Sequence, residues 1–124
     1  LDLFKSNRSD KAEFMNDQMV SFFRRLAASL NEAQILRLFF LDLDKIPVAA
    51  TLCFDYRSTR YLYNNGYDNR FASLSVGLLG KVFSIKESIY SGLTTYDFLK
   101  GAEGYKQRLG GQPYQLGRCL IELP

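Results

Sequence analysis

At 124 residues, 47% of them hydrophobic, the chain is long enough to bury one core and too short for two, so a single domain spanning 1–124 is expected. Its formal charge of +3 comes from 16 basic and 13 acidic residues with no run of one sign, which argues against a DNA-binding arm and suits a phosphorylated or otherwise anionic ligand. Histidine is absent, which excludes Ser-His-Asp and Cys-His catalysis and disfavours a transition-metal site.

Ten Phe and eight Tyr predict an aromatic core. Cys53 and Cys119 lie in apolar segments without CxxC spacing, and both are expected to be buried, reduced thiols. Apolar runs such as 35–41 are far shorter than the ~20 residues of a membrane span. No signal peptide opens the sequence, so a cytoplasmic location is expected. Because Leu1 opens in ordered-looking sequence, the chain is expected to be the C-terminal part of a longer protein.

Asp10 and Glu13 have capping-box spacing, and Asn16-Asp17 offers a second helix start. Met19, Phe22, Phe23, Leu26, Ala27 and Leu30 then recur at the spacing of one apolar helical stripe. From Ile35 the period becomes that of strands, predicted at 35–43, 48–56 and 60–67, with turns at 44–47 and 57–59. The stretch 66–75 reads as a loop. A second helix is predicted over 76–91, with Leu78, Val82, Ile85 and Ile89 on its inward face and Gly92 at its C-terminal cap. A strand at 94–99, helical turns at 102–109 and a last strand at 114–123 complete the order. This is an α+β domain: an antiparallel three-strand meander and a helical crossover to a parallel strand, with helices on both faces.

That order of elements, together with Leu62-Tyr63-Asn64-Asn65-Gly66-Tyr67-Asp68, Leu74-Ser75-Val76-Gly77-Leu78-Leu79, Tyr96-Asp97-Phe98-Leu99-Lys100-Gly101 and Glu103-Gly104-Tyr105-Lys106, resembles the GNAT-type acetyltransferases. The similarity is to the C-terminal domain of the cellulose-biosynthesis-type acetyltransferase family and, more distantly, to the Fem-type peptidyltransferases. It departs from the family pattern near its end, where Lys100 replaces an Arg, Ala102 an Asp, Gln107 an aromatic and Leu109 a Trp.

The resemblance implies a donor of the acetyl-CoA or acyl-CoA type, with pantetheine and pyrophosphate cradled between two parting strands and the N-terminus of the following helix. Ser75, Val76 and Gly77 occupy that turn, where orphan N–H groups favour anions. Arg70 lies near it but out of register with the family's basic position, at whose spacing Ala72 stands. Ser75 equally suits a plain helix cap, whereas a glycine in a first helical turn points to close approach.

Asp97, on a strand where Asp is uncommon, either caps a turn, pairs with Lys100 or Arg108, or orients Lys106 or an acceptor amine. Glu103, Tyr105 and Lys106 follow, and acyl transfer to an amine needs a base, an oxyanion donor and an acid for the leaving thiolate. Lys106, in the family's Tyr-Lys pair, is expected to act on the substrate. Asn64, Asn65, Tyr61 and Tyr63 either line a cleft or pack as an ordinary strand, and Asp55 reads as a strand-end residue.

The resemblance therefore implies an N-acyltransferase acting on the amine of a small molecule or cell-envelope precursor, partnered by an N-terminal GNAT-like domain of the same protein. Aminoacyl transfer from a charged tRNA and a non-catalytic GNAT-like half are the competing readings.

Overall fold

A computed structural model of the chain describes Leu3 and residues 17–124. The expected Asp10–Glu13 capping box lies outside them. Helix α1 (Asp17–Glu32) leads into β1 (Leu36–Leu43), β2 (Ile46–Tyr56) and β3 (Thr59–Tyr67), which form an antiparallel meander. A 3-10 segment (Asn69–Leu74), helix α2 (Val76–Tyr90), strand β4 (Thr95–Asp97) and the short helix α3 (Gly104–Arg108) follow. The sheet order is β1-β2-β3-β4, and β4 runs parallel to β3. The mixed sheet with its helical crossover thus forms as expected.

Both hairpins use two-residue turns with positive φ at each central residue, Asp44-Lys45 and Arg57-Ser58, matching the right-handed strand twist. The first turn is tighter than expected, since Ile46 and Pro47 already belong to β2. Pro47 has no N–H to give the ladder, and the β1–β2 register shifts beside its partner Asp42. Strand β2 is the centre of the core, buried continuously from Val48 to Cys53. Its Ala50 and Leu52 pack against Leu3 and Leu36, and Phe54 meets Tyr63, which Phe23 of α1 touches edge-on. Ala49 and Thr51 face α2.

Helix α2 turns the other way round from the expected orientation. Its buried residues are Val76, Gly77, Gly80, Lys81, Ser84 and Ser88, while Leu78, Val82 and Ile89 are exposed and Ile85 is half-buried. The small residues let the helix axis approach the sheet: a Cβ on Gly80 would stand 3.1 Å from the Thr51 hydroxyl. Gly92 ends the helix as expected, with φ +82 and the Leu93 N–H returning to the Ser88 carbonyl.

Beyond β4 the expected strand at 114–123 does not form. Among the described residues nothing pairs with it, and a strand without a neighbour leaves its N–H and C=O groups to water. Cys119 therefore lies exposed, contrary to expectation, while Cys53 is fully buried and its thiol pKa is pushed up to about 11 by that burial. Alkylation by iodoacetamide at pH 8 is expected to consume Cys119 within minutes and Cys53 only after denaturation. Equal labelling of both in the folded chain would contradict this. No helix among the described residues is long and apolar enough to cross a membrane.

Candidate active site

Strands β3 and β4 part within a few residues. Their pairing runs from Thr59↔Thr95 to Tyr61↔Asp97 and stops, while β3 continues to Tyr67. On the other side of β3 the register against β2 passes from Cys53↔Leu62 to Leu52↔Asn64, leaving Tyr63 as an extra residue. Such a bulge bends and twists its strand, and the pairing with β4 ends two residues before it. Tyr61 stacks on Phe54 at 5.2 Å and Tyr63 packs on Phe23 and Phe54, so the two rings pack on the strand face, Tyr61 half-buried and Tyr63 exposed. Asn64 and Asn65 lie half-buried on the part of β3 beyond the parting.

At the N-terminus of α2, Ser75 is the N-cap residue, its carbonyl accepting the Leu79 N–H, but it adopts a left-handed conformation (φ 53) and its side chain makes no cap bond. Its N–H returns to Ala72 O. Gly77 is buried, and a Cβ there would stand 2.7 Å from the Tyr67 ring. The glycine thus admits a neighbouring ring. Gly77→Val is accordingly expected to destabilise by about 1–3 kcal/mol through overpacking, with partial recovery when Tyr67 is shortened to leucine in the same chain, both read by urea denaturation. Arg70 is exposed and held in a fork by Asp68, whose carboxylate also caps the Arg70 N–H and has its pKa lowered by these bonds.

The segment after β4 folds around one ammonium. Lys106 is buried, and its Nζ donates toward the carbonyls of Leu99 (3.4 Å), Lys100 (3.1 Å) and Gly101 (3.2 Å) while pairing with Glu103 Oε2 at 2.8 Å. Such a turn needs unusual backbone: Leu99 has φ 62 and Gly101 φ 121, and a Cβ on Gly101 would stand 2.5 Å from the Glu103 carboxylate. The Lys106 carbonyl in turn accepts the Gly111 N–H. Lys106 is therefore not a solvated surface lysine. All three of its protons have acceptors within the loop.

Tyr105 turns to α2, where the Lys81 ammonium lies 3.7 Å from its ring centroid; its hydroxyl pKa is raised by burial and by Glu103. Asp97 accepts the Leu99 N–H at 2.8 Å, which is the turn-capping alternative, and the Tyr114 hydroxyl at 3.3 Å. Its charge pushes the Tyr114 pKa up.

Asp97, Glu103 and Lys106 line one cavity of about 770 Å³, between β4 and residues 109–116. That is the size of small-molecule sites. Tyr105 is not among its lining residues, and neither are Ser75, Val76 and Gly77. Three of the four expected catalytic residues thus share a cavity, apart from the turn expected to bind the donor.

A buried network that the sequence reading missed fastens α2 to this region. Arg60, fully buried on β3, forks onto Asp55 (2.7 and 2.8 Å), donates to the Ser84 carbonyl (2.8 Å), pairs with Glu87 and lies over the Phe39 ring. Burial works against its charge, but the bonds to Asp55 and Glu87 outweigh that and its pKa is raised. Across the β3–β4 pairing, Tyr96 sits opposite Arg60 and its hydroxyl meets Ser84 Oγ at 2.7 Å. Arg60 in a strand was legible only as a polar position; its partners come from 5 to 27 residues away.

Comparison with known proteins agrees with this architecture. The family described as the acetyltransferase (GNAT) domain matches residues 1–107. No curated protein matches the sequence. Among solved structures, the aminoglycoside acetyltransferase AAC(6')-Iy in complex with a bisubstrate analogue, CoA-S-monomethyl-acetylneamine, is similar in fold, with a TM-score of 0.59, 13% identity and coverage of 78% of this chain and 76% of that one. The same enzyme with CoA gives 0.58 at 13% identity over 77% and 72%. An aminoglycoside acetyltransferase from an uncultured soil metagenomic sample, in complex with sisomicin, gives 0.51 at 14% identity over 73% and 67%. With a family match over most of its length and a mixed sheet that parts at a bulged strand, the chain belongs to the GNAT acetyltransferase-domain family.

Proposed function

We propose that the chain is an N-acyltransferase that moves an acyl group from acyl-CoA to the amine of a small molecule or cell-envelope precursor. The observation that carries this reading is the parting of β3 from β4 at the Tyr63 bulge, beside the N-terminus of α2. A pantetheine arm fits such a place because the β3–β4 ladder ends at Tyr61↔Asp97 while β3 runs on to Tyr67. The N-terminus of α2, entered through the exposed, left-handed Ser75, turns the positive end of the helix dipole toward a pyrophosphate, while Gly77 itself is packed against the Tyr67 ring. Arg70 would add charge from outside the turn. The enzymes of similar fold that carry CoA or a CoA-linked analogue support this donor.

The donor supplies a thioester. The acceptor nitrogen forms the N–C bond as the C–S bond breaks, and one amine proton must leave. Asp97 is proposed to hold and deprotonate the amine, with Glu103 shaping the same wall. The thiolate that leaves takes its proton from solvent, since Tyr105 is turned to α2 and does not line the cavity. Lys106 acts by positioning the 99–101 turn, since its ammonium is already engaged there.

Incubation with acetyl-CoA and a panel of primary amines, followed by mass spectrometry of the amines, tests the reading. Acetylated product and stabilisation of the fold by millimolar CoA are expected. Neither appearing would sink it.

A further inference from the structure

We propose that the cavity beside β4 selects an amine with one positive charge and an apolar body, and that Asp97 is the counter-charge that receives it. Only the fate of that amine rests on the acyltransferase reading. The half-buried and ion-paired carboxylates of the described residues are otherwise accounted for: Asp55 by Arg60 and Arg37, Asp68 by Arg70, Glu87 by Arg60 and Glu103 by Lys106. Asp97 is half-buried and lines the cavity, yet among the described residues no Lys or Arg pairs with it. Its partners are a backbone N–H and the Tyr114 hydroxyl, both neutral, so its charge is solvated at one wall of a largely apolar space. A carboxylate in that setting favours a cation over any neutral or anionic ligand of the same shape.

The rest of the wall defines what carries the cation. Ile85, Phe98, Leu109, Pro113 and Leu116 supply apolar surface, and a space of about 770 Å³ accommodates a drug-sized body. A polycation fits poorly. The second carboxylate on the wall, Glu103, is already neutralised by Lys106, and Lys100 adds a positive charge. This separates the site from one built for a multiply charged amino sugar, the type of molecule bound by the structures of similar fold.

Calorimetry on the chain with four probes tests the inference: phenethylamine, its neutral analogue 2-phenylethanol, the anion hydrocinnamate and the polycation neamine. Phenethylamine is expected to bind most tightly. Asp97→Asn keeps an Oδ1 that accepts the Leu99 N–H, so the turn is preserved; it should weaken phenethylamine about tenfold or more and leave 2-phenylethanol unchanged. Leu116→Ala, at an exposed position, should weaken both aromatic probes alike. Phenethylamine binding no tighter than 2-phenylethanol, an Asp97→Asn variant with unchanged affinity, or neamine binding best would each overturn the proposal. Binding of phenethylamine without acetyl transfer would keep the amine site and remove the acyltransferase reading. Acetylation of polyamines by a chain that ignores phenethylamine would do the opposite.

Discussion

Replacing Arg60 by methionine is expected to lower the stability of the fold by about 1.5–3 kcal/mol, because Asp55 and the buried Ser84 carbonyl lose charge-assisted hydrogen bonds while Arg37 stays on Asp55 and Glu87 can turn to water. Asp55 would lose both arms of the fork and Glu87 its guanidinium, while the Ser84 carbonyl would lose a donor. Urea denaturation followed by tyrosine fluorescence measures the loss. A triple variant with Asp55→Leu and Glu87→Met as well should recover part of it, since removing a buried charge cluster whole costs less than breaking it. A drop below about 1 kcal/mol for Arg60→Met, the median worth of an exposed pair, would mean that the network is not buried in solution. The Glu87 arm also fixes a pH direction. Its carboxyl pKa is lowered by the Ser91 hydroxyl and by Arg60, so its contribution is present above the ordinary carboxylate range and is lost as pH falls through the lowered value. The Glu87→Gln variant should therefore show a shallower acid limb than the parent chain.

Lys106→Met is expected to reduce turnover about 100-fold, the scale on which a misplacement of 1 Å acts, while also weakening the fold. The ammonium draws together the carbonyls of Leu99, Lys100 and Gly101, and the turn they form is part of the cavity wall that carries Asp97 and Glu103. Removing it takes the shared donor from three carbonyls and the ion pair from Glu103 at once. Two readouts separate positioning from direct action on the substrate. The residual rate of Lys106→Met should keep the pH profile of the parent chain, because no proton-handling group has been removed. The KM for the amine should rise along with the fall in kcat, because the wall itself loosens. A rate within a few-fold of the parent, with the amine KM unchanged, would show that the turn holds without its ammonium.

Much of the architecture was legible in the sequence because it depends on local periodicity. The change from a helical stripe ending at Leu30 to strand alternation after Ile35, and back to a helix at Val76, places α1, the meander and α2 to within a residue or two. The parallel entry of β4 followed from the helix between the strands. The face of α2 did not follow. An apolar stripe at Leu78, Val82 and Ile89 and a small-residue stripe at Gly77, Gly80, Ser84 and Ser88 are both helical faces, and hydrophobicity alone favours the first. The sheet surface of Ala49 and Thr51, together with the Arg60 head beneath Ser84, selects the second.

The candidate site divides in the same way. Residue types and the motif from Tyr96 to Lys106 pointed to this segment, and Asp97, Glu103 and Lys106 line one cavity there. The motif could not show that Lys106 is the hub of its own loop, since that depends on backbone angles at Leu99 and Gly101 that bring three successive carbonyls to one point. Gly77 likewise read as an opening for a ligand until the Tyr67 ring was found against it. Sequence by itself determined the order and type of the elements from Asp17 to Arg108, because these rest on neighbours a few residues apart, whereas the strand expected at 114–123 did not form because a strand also needs a neighbour to pair with. Only the tertiary structure decided which helical face is buried, where β3 leaves β4 and which charges are neutralised. Those depend on side chains distant in the chain, and burying a charge requires a partner at a position that local pattern does not encode.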